Sequence, residues 1–248
     1  MPQEFKTKLK EKKQLTPDTW ALTFDLGAQT LVFQMGQFVM LKILLHEKKG
    51  FMVNEEKKQL QYRSYSIASS AAEKNFIELI VKKTADGFVS RYLTEIMDIG
   101  NELSIMGPYG NFILPENPPY ESIIFIAAGS GVAPCLCMMR TINTRALPIY
   151  LHLLFSNKTE ADIIARKEIE SLCADNLLLS YDFTLTRADD SWQGLKGRIH
   201  SEMLTPRLSN KKRTAFYLCG VPAMVNEANA LLENMGVSPN DIKQEIYN

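Results

Sequence analysis

Two hydrophobic periods divide the chain. In the first half apolar residues recur at every second position: Trp20, Leu22, Phe24 and Leu26 alternate with smaller or polar residues in TWALTFDL, the pattern of a half-buried strand. QFVMLKILL, YRSYSI, NFIELIVKK and NELSIM are further strand candidates, separated by stretches containing Gly, Asn, Asp or charge. About six short strands with little helix predict an antiparallel Greek-key β-barrel. One helix interrupts them. In DGFVSRYLTEIMDIG, Val89, Tyr92, Leu93, Ile96 and Met97 fall at i, i+3, i+4, i+7 and i+8 and make one apolar stripe. HEKKGFMVNEEKKQ, between two strands, reads as a solvated hairpin tip.

PENPPY, residues 115–120, holds three prolines in six residues and reads as a linker. Beyond it the period changes. The apolar run IIFIAAG ends at glycine, a helix candidate follows through CLCMMRTIN, and PIYLHLLFSN reads as another buried strand. EADIIARKEIESLC is a further helix candidate, LLLSYDFTLT and AFYLCG are strands, and PAMVNEANALLENMG is a last helix. Strands alternating with helices predict a Rossmann-like α/β domain with a parallel sheet. The expected division is a barrel over residues 1–117 and an α/β domain over 118–248.

Composition narrows the chemistry. The chain has 46% hydrophobic and 23% charged residues, and Lys plus Arg equals Asp plus Glu at 28 each, so nothing points to a nucleic-acid partner. The basic N-terminal segment has no apolar core behind it, unlike a secretory signal, and the longest apolar run, IIFIAA at 123–128, is too short to span a bilayer. The expected location is the cytoplasm, without a membrane span. Cys135, Cys137, Cys173 and Cys219 are too spread for a disulfide framework or an iron–sulfur cluster, and His46, His152 and His200 are isolated, so no metal site is expected.

Several segments carry candidate chemistry. GSGVAP, Gly129 to Pro134, lies where an apolar strand meets a helix, so its backbone can approach a pyrophosphate at a helix N-terminus; a tight turn explains Gly129 and Gly131 equally well. In DGFVS, Gly87 opens a helix, and the amides of Phe88, Val89 and Ser90 with the Ser90 hydroxyl can hold a phosphate; the alternative is an ordinary start capped by Asp86. Arg63, Ser64, Tyr65 and Ser66 combine a phosphate fork, a flat ring and two hydroxyls within a strand. Cys219 and Gly220 end an apolar strand, where open parallel sheets bind ligands, although a buried thiol is the plainer explanation.

Taken in order, these segments resemble the ferredoxin–NADP reductase superfamily. RSYS at 63–66 is similar to its flavin motif, Ile80, Val81 and Lys82 to the strand lining the ribityl and adenine portion, and DGFVSRYL to the pyrophosphate helix. GPYGNF at 107–112 is similar to the segment closing the barrel, and AAGSGVAP, with Gly129, Ser130, Gly131 and Pro134, to the pyridine-nucleotide motif. CG at 219–220 and EIY at 245–247 are similar to the nicotinamide-side motif and the acidic-plus-aromatic ending. The resemblance implies FAD on the barrel and NADH or NADPH on the α/β domain. It implies that Arg63 binds flavin phosphate, Tyr65 packs on the isoalloxazine, Ser66 bonds near N5, Cys219 lies near nicotinamide C4, Glu245 assists proton or charge balance, and Tyr247 covers the flavin.

By the same resemblance Asn157 and Asp162, in SNKTEADIIARKEIE, lie at the nucleotide, as does Arg187 in TLTR. Glu160 and Asp162 near the ribose suit hydroxyls, whereas Arg166 and Arg187 could bind a 2′-phosphate; the balance leans to NADH. The expected acceptor is a ferredoxin, a flavodoxin, or a cytochrome or oxygenase component. Lys-rich segments at 6–13 and 48–58 could steer an acidic carrier, with solvated faces as the simpler reading. An accessory flavin subunit and a free-flavin reductase are the alternative functions.

Overall fold

The computed structural model describes residues 2–44, 60–208 and 213–247; the hairpin-tip candidate and the second Lys-rich segment lie outside the described residues. The first half forms one antiparallel sheet of β1 (Gln3–Thr16), β2 (Thr19–Asp25), β3 (Phe38–Leu44), β4 (Leu60–Ser66), β5 (Phe76–Lys82) and β6 (Glu102–Tyr109). Their order is β4-β3-β6-β1-β2-β5. The outer strands then meet: Ile67 bridges to Leu79, and the Ala68 N–H donates to the Glu78 carbonyl at 2.8 Å, which curls the sheet into the predicted barrel.

The first strand is the one the hydrophobic pattern does not announce. β1 is rich in lysine, but Phe5, Thr7 and Leu9 point inward and are buried while Lys6, Lys8 and Lys10 are exposed, so it alternates like its neighbours. The predicted helix is present in altered form. α1 (Phe88–Arg91) widens into a π-turn over Tyr92–Ile96, closed by the Met97 N–H on the Tyr92 carbonyl at 2.9 Å. Val89, Leu93, Ile96 and Met97 are buried as the stripe requires, with Tyr92 half-buried.

The second half is a parallel sheet of β7 (Ser122–Ala128), β8 (Tyr150–Asn157), β9 (Leu179–Leu185), β10 (Leu195–Lys196), β11 (Thr214–Gly220) and β12 (Ile242–Ile246), ordered β10-β9-β8-β7-β11-β12. α2 (Ala133–Arg145), α3 (Arg166–Asp175), α4 (Ser201–Leu208) and α5 (Pro222–Asn234) wind about it. The chain builds outward from β7 in one direction as far as β10, then returns to the other side of β7 for β11. The loops after β7 and β11 therefore flank the reversal point, where ligands bind in open α/β sheets. α4 and β12 escape sequence reading, because α4 contains Pro206 and β12 buries little besides Ile242.

The two sheets share one core. α2 is buried from Ala133 through Met139, and its Thr141 hydroxyl accepts from the Ala71 N–H of the barrel at 2.8 Å. A helix apolar on all faces cannot be left against solvent, so α2 packs between barrel and sheet. Near the connection, Phe112 meets Phe125 and Tyr217 edge-on, at 5.9 and 5.2 Å between centroids, and the Tyr217 hydroxyl donates to the Ile113 carbonyl at 2.9 Å. No helix among the described residues is long and apolar enough to cross a membrane.

Phe112→Ala empties the middle of this aromatic cluster. The expected loss of stability is about 3–5 kcal/mol, measured by urea denaturation; a loss under about 1 kcal/mol would show that the cluster does not tie the halves together.

Candidate flavin and nucleotide site

On the barrel side the site follows β4, an edge strand that pairs with β3 in the register Val39 to Tyr65 and Phe38 to Ser66. Arg63 and Ser64 are exposed, Tyr65 is half-buried and Ser66 buried, so polarity falls toward the strand's end. The Arg63 guanidinium donates to the adjacent Tyr62 carbonyl at 2.7 Å and stays on the surface. Burial pushes the Tyr65 hydroxyl up to about 12. On β5, Ile80 and Val81 are core residues, and Lys82 pairs with Asp18 at 2.6 Å.

The start of α1 follows Gly87 rather than the alternative of an Asp86 cap. Gly87 occupies the cap position with extended backbone and no side-chain cap, so Asp86 does not close the helix. The first helical bond runs from the Arg91 N–H to the Gly87 carbonyl, which leaves the amides of Phe88, Val89 and Ser90 ahead of it. The Ser90 hydroxyl turns inward: it donates to the Gly87 carbonyl at 2.9 Å and accepts from the Thr84 N–H at 3.2 Å. A Cβ on Gly87 would strike Thr84 and Ser90, so this tight turn needs glycine. The Ser90 hydroxyl, expected to contact phosphate, here shapes the turn, while its amide lies at the helix start.

On the sheet side, a 3₁₀ turn over Gly129–Val132 leads from β7 into α2, and the buried Pro134 sits in the first helical turn, where no N–H is required. A Cβ on Gly131 would collide with the Cys219 carbonyl, and one on Gly220 would meet the Ala128 carbonyl at 3.1 Å. Backbone on backbone, the segment holding Gly129, Ser130 and Gly131 rests on Cys219 and Gly220.

Farther out, Asn157 ends β8, and its buried Nδ2 has no hydrogen-bond partner among the described residues, a donor left for a ligand. Asp162 accepts from the Thr159 N–H at 2.9 Å and hydroxyl at 2.7 Å, a reciprocal cap. Arg166 is paired with Glu160 and, at 2.8 Å, with Glu170, and lies 5.6 Å over Trp192. Arg187 is exposed at the end of β9 and forms no ion pair among the described residues. Thr159 and Trp192 carry no signal in the sequence; only the folded loops give them partners.

The two sides meet at Ser66. Its hydroxyl donates to Glu245 at 3.0 Å and accepts from the Tyr247 hydroxyl at 2.6 Å, while the Cys219 thiol lies 4.0 Å from the same Glu245 oxygen. Parallel pairing sets this up: β12 places Glu245 opposite Cys219, and the Tyr247 N–H continues the ladder to the Gly220 carbonyl at 2.9 Å. Burial raises the Glu245 carboxyl, against the Ser66 bond, which lowers it. Burial and then the Glu245 charge push the Cys219 thiol well above its ordinary range, and burial does the same to the Tyr247 hydroxyl. Cys219 is therefore a neutral thiol rather than a thiolate nucleophile. The four residues predicted for catalysis, drawn from three distant segments, form one cluster.

Residues 6–113 match the family of oxidoreductase FAD-binding domains, and residues 125–230 match that of oxidoreductase NAD-binding domains. The chain belongs to the ferredoxin–NADP reductase superfamily. Among relatives of this superfamily, it is 29% identical over 252 residues to ferredoxin–NADP reductase B of Sorangium cellulosum, covering 98% of this chain and 97% of that one. It is 29% identical over 186 residues to the anthranilate 1,2-dioxygenase electron transfer component of Acinetobacter baylyi, covering 75% of this chain but only 53% of that protein. Its fold superposes on an Amycolatopsis cytochrome P450 reductase with a TM-score of 0.83 at 22% identity, over 99% of this chain and 70% of that one. The barrel of this superfamily member is accordingly an FAD-binding domain and its parallel sheet an NAD(P)-binding domain. Both sites fit such ligands: the barrel side has an uncapped helix start and a surface guanidinium, and the sheet side has a glycine turn and the orphan Asn157 donor.

Because the folded state raises the Glu245 pKa, that carboxyl contributes stability that is present below its ordinary range and lost as pH rises through its folded value. Glu245→Gln removes the loss. Thermal unfolding across a pH series should show the variant gaining on the wild type from the acidic end toward neutrality; parallel curves would mean that Glu245 is not held in a desolvating site.

Proposed function

We propose that the chain is an FAD-dependent NAD(P)H oxidoreductase whose flavin domain spans residues 1–117 and nucleotide domain 118–248, and that it passes electrons to a separate carrier protein. The observation that carries this reading is the Ser66–Glu245–Tyr247 contact, which closes the barrel onto the sheet at its reversal point. Bound flavin supplies the chemistry: it takes a hydride from reduced nicotinamide and releases electrons singly or in pairs. The chain's own residues hold and align. Arg63 pairs with flavin phosphate, the amides of Phe88, Val89 and Ser90 with the pyrophosphate, and the Tyr65 ring packs on the heterocycle. The Ser66 hydroxyl would face the flavin edge, and Glu245, placed beside it by β12 opposite Cys219, keeps a proton acceptor at the junction. Tyr247 covers the junction and excludes water, and Cys219 and Gly220 beside it would hold the nicotinamide end of the nucleotide.

For the nucleotide, Gly129, Ser130 and Gly131 approach the pyrophosphate, Gly220 lies at the nicotinamide end, and Asn157 donates from the end of β8. NADH is the preferred donor. Asp162 places negative charge at the ribose edge, and Arg166 is already committed to Glu160 and Glu170, leaving Arg187 as the cation for a 2′-phosphate. The acceptor is an electron carrier such as a ferredoxin, a flavodoxin, or a cytochrome or oxygenase component. The names of the relatives support this, since they include an oxygenase's electron transfer component and a ferredoxin reductase.

Protein loaded with FAD and gel-filtered should stay yellow and be bleached anaerobically by NADH faster than by NADPH in stopped flow. Arg63→Ala should weaken FAD retention by roughly ten- to a hundredfold, and Ser66→Ala should slow reduction on the order of a hundredfold with FAD still bound. Protein that cannot retain FAD would overturn the reading in favour of flavin as a passing substrate or no flavin at all. Retained FAD that neither nucleotide reduces would favour an accessory role.

A further inference from the structure

The α2 segment CLCMMRTI is apolar apart from Arg140 and Thr141, and Arg140 is largely buried, with its side chain 17% exposed. Its guanidinium makes four hydrogen bonds. Nε and Nη2 form a fork on the two Glu168 oxygens at 2.6 and 2.8 Å, and Nη1 donates to the Glu78 carboxylate at 2.7 Å and to the Ala68 carbonyl at 2.8 Å. Glu168 lies in α3, six residues past Asp162; Glu78 and Ala68 are the pair whose backbone bond closes the barrel, and Ala68 is two residues past Ser66. One side chain thus grips the barrel's seam beside the flavin motif, the helix that follows the Gly129–Val132 turn, and the helix that follows the ribose-edge loop. It touches none of the residues assigned to flavin or nucleotide.

We propose that Arg140 is the positioning residue that holds the barrel's closing seam, and with it Ser66, in register with the two nucleotide loops. The planar fork is required: a lysine ammonium is a point donor and cannot satisfy two carboxylates and a carbonyl in these directions. Loosening the grip leaves each half folded around its own sheet but lets the halves shift, and hydride transfer is sensitive to displacements of about 1 Å. The consequence for rate rests on the oxidoreductase reading above, whereas the consequence for geometry does not.

The test uses the full chain carrying spin labels at Lys10→Cys on the barrel and Leu177→Cys on the α/β domain, with Cys173→Ser to remove a partly exposed thiol, and measures the interlabel distance by pulsed electron resonance without cofactors. Arg140→Lys should broaden the distance distribution. Glu78→Gln, which leaves the Glu168 fork intact and uncharges only the barrel side, should broaden it as well, and it serves if the lysine variant does not fold. In unlabelled, FAD-loaded protein both variants should retain FAD as the wild type does, while reduction at saturating NADH falls about ten- to a hundredfold. Unchanged distances overturn the proposal whatever the rate, and broadened distances with an unchanged rate overturn the positioning role. If no variant, nor the wild type, retains FAD, the oxidoreductase reading fails and the distances alone decide whether Arg140 clamps the two halves.

Discussion

Ser66 belongs to the barrel and Glu245 to the last strand of the parallel sheet, and the 3.0 Å hydrogen bond between them holds only while the two sheets keep one relative placement. A single such bond contributes about 1 kcal/mol and cannot by itself impose that placement. The apolar contacts do. α2 is buried on every side, so it cannot be exposed by separating the halves without uncovering Cys135 through Met139, and Phe112 is wedged against Phe125 and Tyr217 beside the connection. Hydrophobic burial sets the distance between the sheets, and the polar contacts then select the orientation.

The electrostatics of the junction follow from that closure. Shut off from water, Cys219 and Tyr247 stay neutral and Glu245 holds its proton more readily than an exposed carboxylate. The charged groups that tie the halves together are placed elsewhere and are fully paired: Arg140 between Glu78 and Glu168, and Arg145 between Glu116 and the Ala71 carbonyl. Arg140–Glu78 is largely buried, and a buried pair adds little over apolar packing but is costly to break on one side, which makes it better at specifying an arrangement than at adding stability.

Backbone contact matters as much as side chains at the nucleotide end. Gly131 and Gly220 let two segments far apart in sequence touch without intervening side chains, so the loops after β7 and β11 form one rim. At the flavin end the same device works locally: Gly87 makes room for the Thr84 and Ser90 hydroxyls, and the turn spends the serine on itself.

Much of this was legible in the chain alone. Two-residue alternation in β2 and β5 and the strand–helix alternation after PENPPY define both architectures, because each period has one way to bury its apolar face. The ordered motifs from RSYS to EIY marked the superfamily. What the pattern could not carry was whatever depends on a neighbour. The lysine-rich β1 is a strand because β2 and β6 pair with both its edges, and β12, with scarcely an apolar face, is one because β11 offers it hydrogen bonds. Likewise nothing in the sequence ties Ser90 to the Gly87 carbonyl, or Arg140 to Ala68, Glu78 and Glu168, until the fold brings those segments together. Local periodicity records which face a residue must hide; only the tertiary structure decides which distant groups share that face, since partners so far apart along the chain leave no spacing to read.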